Sequence, residues 1–160
     1  MSGKLDQLDR RLLACLQENN LLTAEDYAER VGRSPSAVAR RLRRLRSSGA
    51  VAADTSLLSE EASGHPLSAV IHVQLERHVP PEVDRLRRRL VSSPQVQLCL
   101  DVTGSFDIIL LVVARNMKAY NDFADEALEA HPAVRRFETT FVKRRVKATL
   151  AFPIEDEPAP

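Results

Sequence analysis

Tryptophan is absent from these 160 residues, aromatics make up only 4%, and there are two cysteines and five glycines. Each scarcity excludes something. Cys15 and Cys99 are far apart and supply neither a disulfide framework nor a metal-ligand spacing, so two buried thiols in a reducing cytoplasm are expected. The glycines form no phosphate-cradling loop, and no Gly-x-Ser-x-Gly elbow occurs. No cofactor and no metal is expected. His65, His72, His78 and His131 share no metal spacing and read as ordinary hinge, strand and helix-boundary residues. No apolar run is long enough to span a bilayer, and nothing resembles a secretory leader, so a soluble cytoplasmic protein with no membrane partner is expected.

Charge of one sign is also missing overall, since the formal net charge is only +1. Its distribution is uneven. Residues 1–50 hold 10 Lys/Arg against 6 Asp/Glu, whereas the remainder holds 13 against 16. A basic front joined to a mildly acidic remainder predicts that only the front touches nucleic acid.

What is present there is Ser34–Val51, SPSAVARRLRRLRSSGAV. Ser34 suits an N-cap and Pro35 the first helical position, where no amide hydrogen is needed. Val38, Leu42 and Leu45 recur at helical spacing as a buried stripe. Ser36, Arg40, Arg43 and Arg44 fall opposite, with Arg41 and Arg46 on the flanks, and Gly49 is placed to end the helix. Standing alone, such a face is either a solvated surface or a polyanion contact. Two preceding helices shift the balance. Asp9–Asn19 carries Leu12, Leu13 and Leu16, and Thr23 caps a helix bearing Ala24, Tyr27, Ala28 and Val31 before the tight turn Gly32-Arg33. This is a helix-turn-helix pattern whose last helix enters the major groove of double-stranded DNA, its N-terminal Ser34, Ser36 and Ala37 nearest the base edges. Arg40, Arg43 and Arg44 are the expected groove and phosphate contacts. For Arg41 a phosphate contact or an ion pair within the domain is expected.

Beyond Gly49 the periodicity changes. Ala50–Asp54 reads as a short strand and Ser56–Pro66 as a hinge. From Leu67 the order is strand, helix, strand, strand, helix, strand: a βαββαβ, ferredoxin-like α+β plan with both helices on one sheet face. Val96, Leu98, Leu100 and Val102 are expected to share one face, opposed by Gln95, Gln97, Cys99 and Asp101. Phe106–Val113 reads as a strand buried on both faces. Asn116–Ala130 is helical by pattern, and Val134–Leu150 is the last extended segment. Within it, KRRVK (143–147) reads as a strand edge guarded by charge. EDEPAP at the end reads as a frayed tail.

The pieces LDQLDRRLLACLQEN, SPSAVARRLRRLRSSGAV, Gly64, PQVQLCLDVTGSFDIILLVV and PAVRRFETTFV, in that order and spacing, resemble the Lrp/AsnC or "feast/famine" transcriptional regulators from Leu5 to about Leu150. Two details depart from the pattern: GAVAAD after the third helix, and Tyr27-Ala28 in place of Leu-Ala. The resemblance implies a winged helix-turn-helix domain at 1–53, a hinge at 54–66, an ACT-like ligand-binding and oligomerising domain at 67–152, and a flexible tail at 153–160. It further implies a homodimer assembling to an octamer, with an amino acid or similar small metabolite as effector.

The turn Thr103-Gly104-Ser105-Phe106-Asp107 offers free amides for an α-carboxylate, while Asp107 accepts from an α-ammonium. By chemistry alone it is equally a plain hairpin turn whose aspartate pairs with a neighbour. The resemblance makes it the effector loop, completed by Thr139 and Thr140 from another subunit. A different class, the sirohaem decarboxylases, shares the two-part plan. Those enzymes add histidine, arginine and aromatic residues that hold a tetrapyrrole. This chain has no tryptophan, few tyrosines and no His/Arg cluster after Gly64 beyond the isolated His65, so no catalysis is expected.

Overall fold

The computed structural model describes residues 5–76 and 80–154, so His78 and the EDEPAP end lie outside the described residues. The chain forms two units: the segment up to Ser56 together with residues from Ala148 onward, and Leu57–Lys147.

In the first unit, helix α1 (Gln7–Glu18) starts at a reciprocal cap. The Asp9 amide donates to Asp6 at 2.8 Å, and the Asp6 amide donates back to Asp9 at 3.2 Å. Thr23 and Asp26 repeat the device at α2 (Ala24–Val31). Ser34 caps α3 (Pro35–Ser47), accepting from the Ala37 amide. Gly49 ends that helix with φ of 77°, a left-handed conformation that glycine adopts without strain. Its amide reaches the Arg46 carbonyl at 3.2 Å, and the Ala50 amide reaches Leu45 at 3.1 Å, which satisfies the last turn's carbonyls. Leu12, Leu16, Tyr27, Ala28, Val31, Val38, Leu42 and Leu45 enclose one core. Burying each large side chain contributes about 1.5–3 kcal/mol.

The expected strand at Ala50–Asp54 is absent. These small residues find no strand to pair with, and Asp54 instead folds onto Arg46, whose Nε lies 2.8 Å from its carboxylate. The segment after Ala148 also packs in this unit rather than extending the sheet. The Gln17 side chain holds Phe152 by both its backbone groups, at 2.9 and 2.7 Å.

The second unit opens with a single helical turn, α4 (Glu60–Ser63), inside the expected hinge. It continues as β1 (Leu67–Leu75), α5 (Pro80–Ser92), β2 (Val96–Asp101), β3 (Ile108–Ala114), α6 (Met117–Ala124) and β4 (Val134–Phe141). A π-helical turn, Asp125–Glu129, prolongs α6. The strands pair antiparallel in the order β2-β3-β1-β4. Ala69, Ile71 and Val73 of β1 and Ile108, Leu110, Val112 and Ala114 of β3 are buried against Leu86, Leu90, Tyr120, Phe123 and Leu128 of the helical layer.

Three expectations change here. β3 is covered on one face only: Ile109, Leu111 and Val113 are half-buried on the side away from the helices. In β2 a bulge interrupts the alternation, so that Val96 stands opposite Val112 while Leu98 stands opposite Leu111. The extra residue rotates the strand by one position. Val96 and Cys99 therefore join the core, and Leu98 and Leu100 turn outward. Finally, β4 stops at Phe141. The Val142 amide makes one more bond, to the Ser68 carbonyl at 2.8 Å, and β1 then offers no further partner. KRRVK is consequently not a strand edge. Cys15 and Cys99 are free and half-buried rather than buried.

Candidate DNA-binding helix and effector loop

Helix α3 is held by an electrostatic clamp as well as by its apolar stripe. Asp9 of α1 is 1% exposed, yet it carries a carboxylate. Such a group is tolerated inside only when paired. Arg41 supplies one partner at 2.9 Å and also reaches Asp6 at 2.5 Å, while Arg44 reaches Asp9 at 2.5 Å. The Asp9 amide holds the Asp6 carboxyl below its ordinary value against the opposing effect of burial, and the Arg41 guanidinium adds to the lowering. Arg41 thus forms the ion pair within the domain. Arg44 shares that clamp while its side chain stays 56% exposed.

Arg40 and Arg43 differ from these two. Both are exposed, and neither side chain makes a hydrogen bond or ion pair among the described residues. With Ser36 they follow the i, i+4, i+7 spacing of one helix face. Ser34 and Ser36 are exposed at the amino end, their hydroxyls 3.4 Å apart, and Ala37 is half-buried. The chemistry available is a row of uncompensated guanidinium donors beside small polar side chains. That row matches phosphate oxygens and guanine edges.

At the far end of β3 the turn is built differently. Thr103, Gly104 and Ser105 are exposed, and Gly104 has φ of 124°. Asp107 is tied down three ways. Its amide donates to the Val73 carbonyl at 2.9 Å, its carbonyl accepts from Val102 at 2.9 Å, and its carboxylate accepts from the Leu75 amide at 2.8 Å. The Phe106 ring lies 5.1 Å from the His72 ring, with the Arg136 guanidinium 5.6 Å from its centroid. Gln74 joins the group by accepting from Arg136 Nε at 3.0 Å and donating to the Ser105 carbonyl at 3.4 Å.

Thr139 and Thr140 do not meet at one pocket wall. Thr139 stands opposite Ile71 on the helix-covered face, its hydroxyl 2.5 Å from the Tyr120 phenol. Thr140 stands opposite Val70 on the open face. Adjacent strand residues point to opposite sides of a sheet.

Sequence reasoning missed Asp9 and the Phe106–His72–Arg136–Gln74 cluster. Asp9 left a trace, in that an acidic residue three positions after Asp6 signals a cap, but its distant arginine partners left none. The cluster joins three strand and turn segments with no local signature. The other two described histidines have structural partners: His65 Nδ1 lies 2.6 Å from the Ser63 carbonyl, and buried His131 accepts from the Ala133 amide through Nδ1 at 3.2 Å. Among the described residues no group of three or more His, Cys, Asp or Glu could hold a metal ion, and no helix is long and apolar enough to cross a membrane.

Comparison with known proteins covers nearly the whole chain. Residues 5–52 match the family model for a winged helix-turn-helix DNA-binding domain, and residues 68–152 match that for the Lrp/AsnC ligand binding domain. An HTH-type transcriptional regulator of Sinorhizobium fredii is 41% identical over 152 residues, which is 95% of this chain and 90% of that protein. A transcriptional regulator of Neisseria meningitidis, solved as an L-Met complex, superposes with a TM-score of 0.88 at 32% identity, covering 94% of this chain and 97% of the other. A feast or famine regulatory protein of M. tuberculosis, complexed with L-methionine, gives 0.83 at 30% identity over 93% of this chain and 99% of the other. These names are those of regulators, and the decarboxylase alternative gains no support from them.

Proposed function

The chain belongs to the Lrp/AsnC family of transcriptional regulators, and we propose that it binds operator DNA through α3 under the control of an amino acid or similar small metabolite. The observation that carries this reading is the pair of exposed guanidinium groups, Arg40 and Arg43, without an ion pair among the described residues, on a helix braced from behind. A forked arginine on guanine discriminates bases by about 1–3 kcal/mol, whereas phosphate contacts mainly set affinity and salt dependence. Ser34, Ser36 and Ala37 are assigned to base edges. Arg41 and Arg44 fix the angle of the helix through Asp9, and Arg44 retains enough exposed surface to touch a phosphate as well.

The effector is assigned to Thr103, Gly104, Ser105 and Asp107. Methionine in the complexes of two similar proteins supports the amino-acid class. The free amides around Gly104 suit the α-carboxylate. Asp107 accepts from Leu75 with one oxygen, and a carboxylate has further lone pairs with which to accept from the ammonium. Thr139 and Thr140 are assigned as later contacts, brought in from a second subunit.

Assembly follows from the open sheet face. Leu98, Leu100, Val70, Ile109, Leu111 and Val113 share the side that the helices leave uncovered. A second copy covering this face gives a homodimer, and association of dimers gives the octamer. Residues 1–53 are assigned as the DNA-reading part, 54–66 as the hinge, 67–152 as the sensing and assembling part, although its stretch from Ala148 packs in the helical unit, and 153–160 as the tail.

Selection of bound duplexes from a random pool, with and without each common amino acid, tests the whole reading. Enrichment of a defined site whose recovery changes with one amino acid is expected. Recovery of unenriched DNA that ignores every amino acid would overturn it.

A further inference from the structure

We propose that the segment Lys143–Lys147 is a second, sequence-independent contact for DNA phosphates, separate from helix α3. The proposal rests on the reading of the chain as a DNA-binding protein. It starts from how the sheet-bearing unit handles its other cations. Arg85 pairs with Glu82, Arg87 with Asp84 and Asp101, Arg89 with Glu126, Lys118 with Asp122, and Arg136 with Glu138. Arg88, Arg115 and Arg135 have no ion pair among the described residues, but in the dense run 85–89 three of four arginines are neutralised locally. KRRVK is as dense, with four cations in five residues, yet only Arg145 is paired: Lys143, Arg144 and Lys147 are exposed with no ion pair among the described residues.

The segment is also held in place. Just before it, the Val142 amide donates to the Ser68 carbonyl at 2.8 Å. In its middle the Arg145 guanidinium donates to the Ser68 hydroxyl at 2.7 Å and pairs with Glu60 at 3.1 Å. One cation therefore anchors the strap while those on either side stay exposed in water. Like charges this close repel one another, and among the described residues only that of Arg145 is compensated, by Glu60. A polyanion removes the repulsion and releases its own counterions on binding. Fully extended, the strap from Lys143 to Lys147 reaches at most about 14 Å, which spans several phosphates of one DNA strand. KRRVK itself contains no aromatic side chain on which a base could stack, so the proposed contact is with the backbone and insensitive to sequence.

The test replaces Lys143, Arg144 and Lys147 together by glutamine in the full chain, leaving Arg145 intact. Affinity for a mixed-sequence linear duplex several helical turns long is then measured across a salt series. Wild type binds, and the triple variant is expected to bind about tenfold more weakly at low salt, with the slope of log K against log salt reduced by about 2 to 3, or about 0.9 per lost phosphate contact. The same substitutions to glutamate deepen the loss, and thermal unfolding of both variants matches wild type. An unchanged salt slope in a wild type that binds duplex overturns the strap and leaves the α3 reading standing. A wild type that fails to bind duplex at any salt overturns both.

Discussion

The two units bury their apolar residues in opposite ways. The helical unit closes a core around Tyr27, Leu12 and Leu45 and turns its charged sides to water. The sheet unit covers one face with α5 and α6 and leaves Leu100 exposed and Leu98, Ile109, Leu111 and Val113 only partly buried on the other. The first is complete as a fold and offers a polar working surface. The second keeps one sheet face open, and it is on this face that the proposed dimer rests.

Adjacent residues of β3 break this comparison most forcefully. Leu110→Ala, beneath the helices, opens a cavity and costs about 2–5 kcal/mol of unfolding free energy, read from the urea midpoint. Leu111→Glu, one residue along on the open face, is expected to leave that midpoint nearly unchanged. It raises the dimer dissociation constant by roughly a hundredfold in sedimentation, because each large apolar side chain buried contributes about 1.5–3 kcal/mol. Equal effects of the two substitutions on unfolding would mean that β3 has no open face.

The helical unit is probed next at Asp9. Asp9→Asn keeps the shape but removes the charge that Arg41 and Arg44 share, at a cost of about 1–3 kcal/mol in chemical unfolding. The loss stays below that of a deeply buried pair because both guanidiniums still reach water. Gly49→Ala should cost about 1 kcal/mol, since an added Cβ meets no atom nearby and only the left-handed backbone resists it. A larger loss would point to packing around Gly49.

The smallest effect separates the units by acid. Burial pushes the His131 imidazole below its ordinary 6.5, an effect that Glu82 opposes and that Arg89 and Arg85 reinforce. The unfolded chain therefore takes up the proton first, and the sheet unit begins to lose stability as pH falls below about 6.5. Asp6, held below its ordinary 3.8, keeps its contribution above that value and loses it as pH falls through the lowered one. Amide signals of the sheet should weaken at a higher pH than those of α1–α3. Simultaneous loss would remove the distinction.

Legibility in the sequence followed the range of each interaction. Thr23, Ser34, Pro35 and Gly49 act within a few residues of themselves, so the helix limits could be read directly. The strand order was visible in the alternation, but the β2 bulge was not, since register depends on the partner strand. β4 looked long because TTFVKRRVK keeps an extended composition, although β1 had already ended. In the candidate sites, the exposed stripe of α3 follows from helical spacing alone. That Arg44 is shared with Asp9, 35 positions away, does not, nor does the gathering of His72, Phe106 and Arg136 from separate segments.

The most direct measurement is a gel-shift titration of Arg40→Ala/Arg43→Ala against wild type on a selected duplex, with thermal unfolding measured alongside. At least tenfold weaker binding is expected, since loss of a base-reading arginine costs about 1–3 kcal/mol, with an unfolding midpoint that does not move. Full-strength binding by the double variant would show that α3 does not carry the DNA contact.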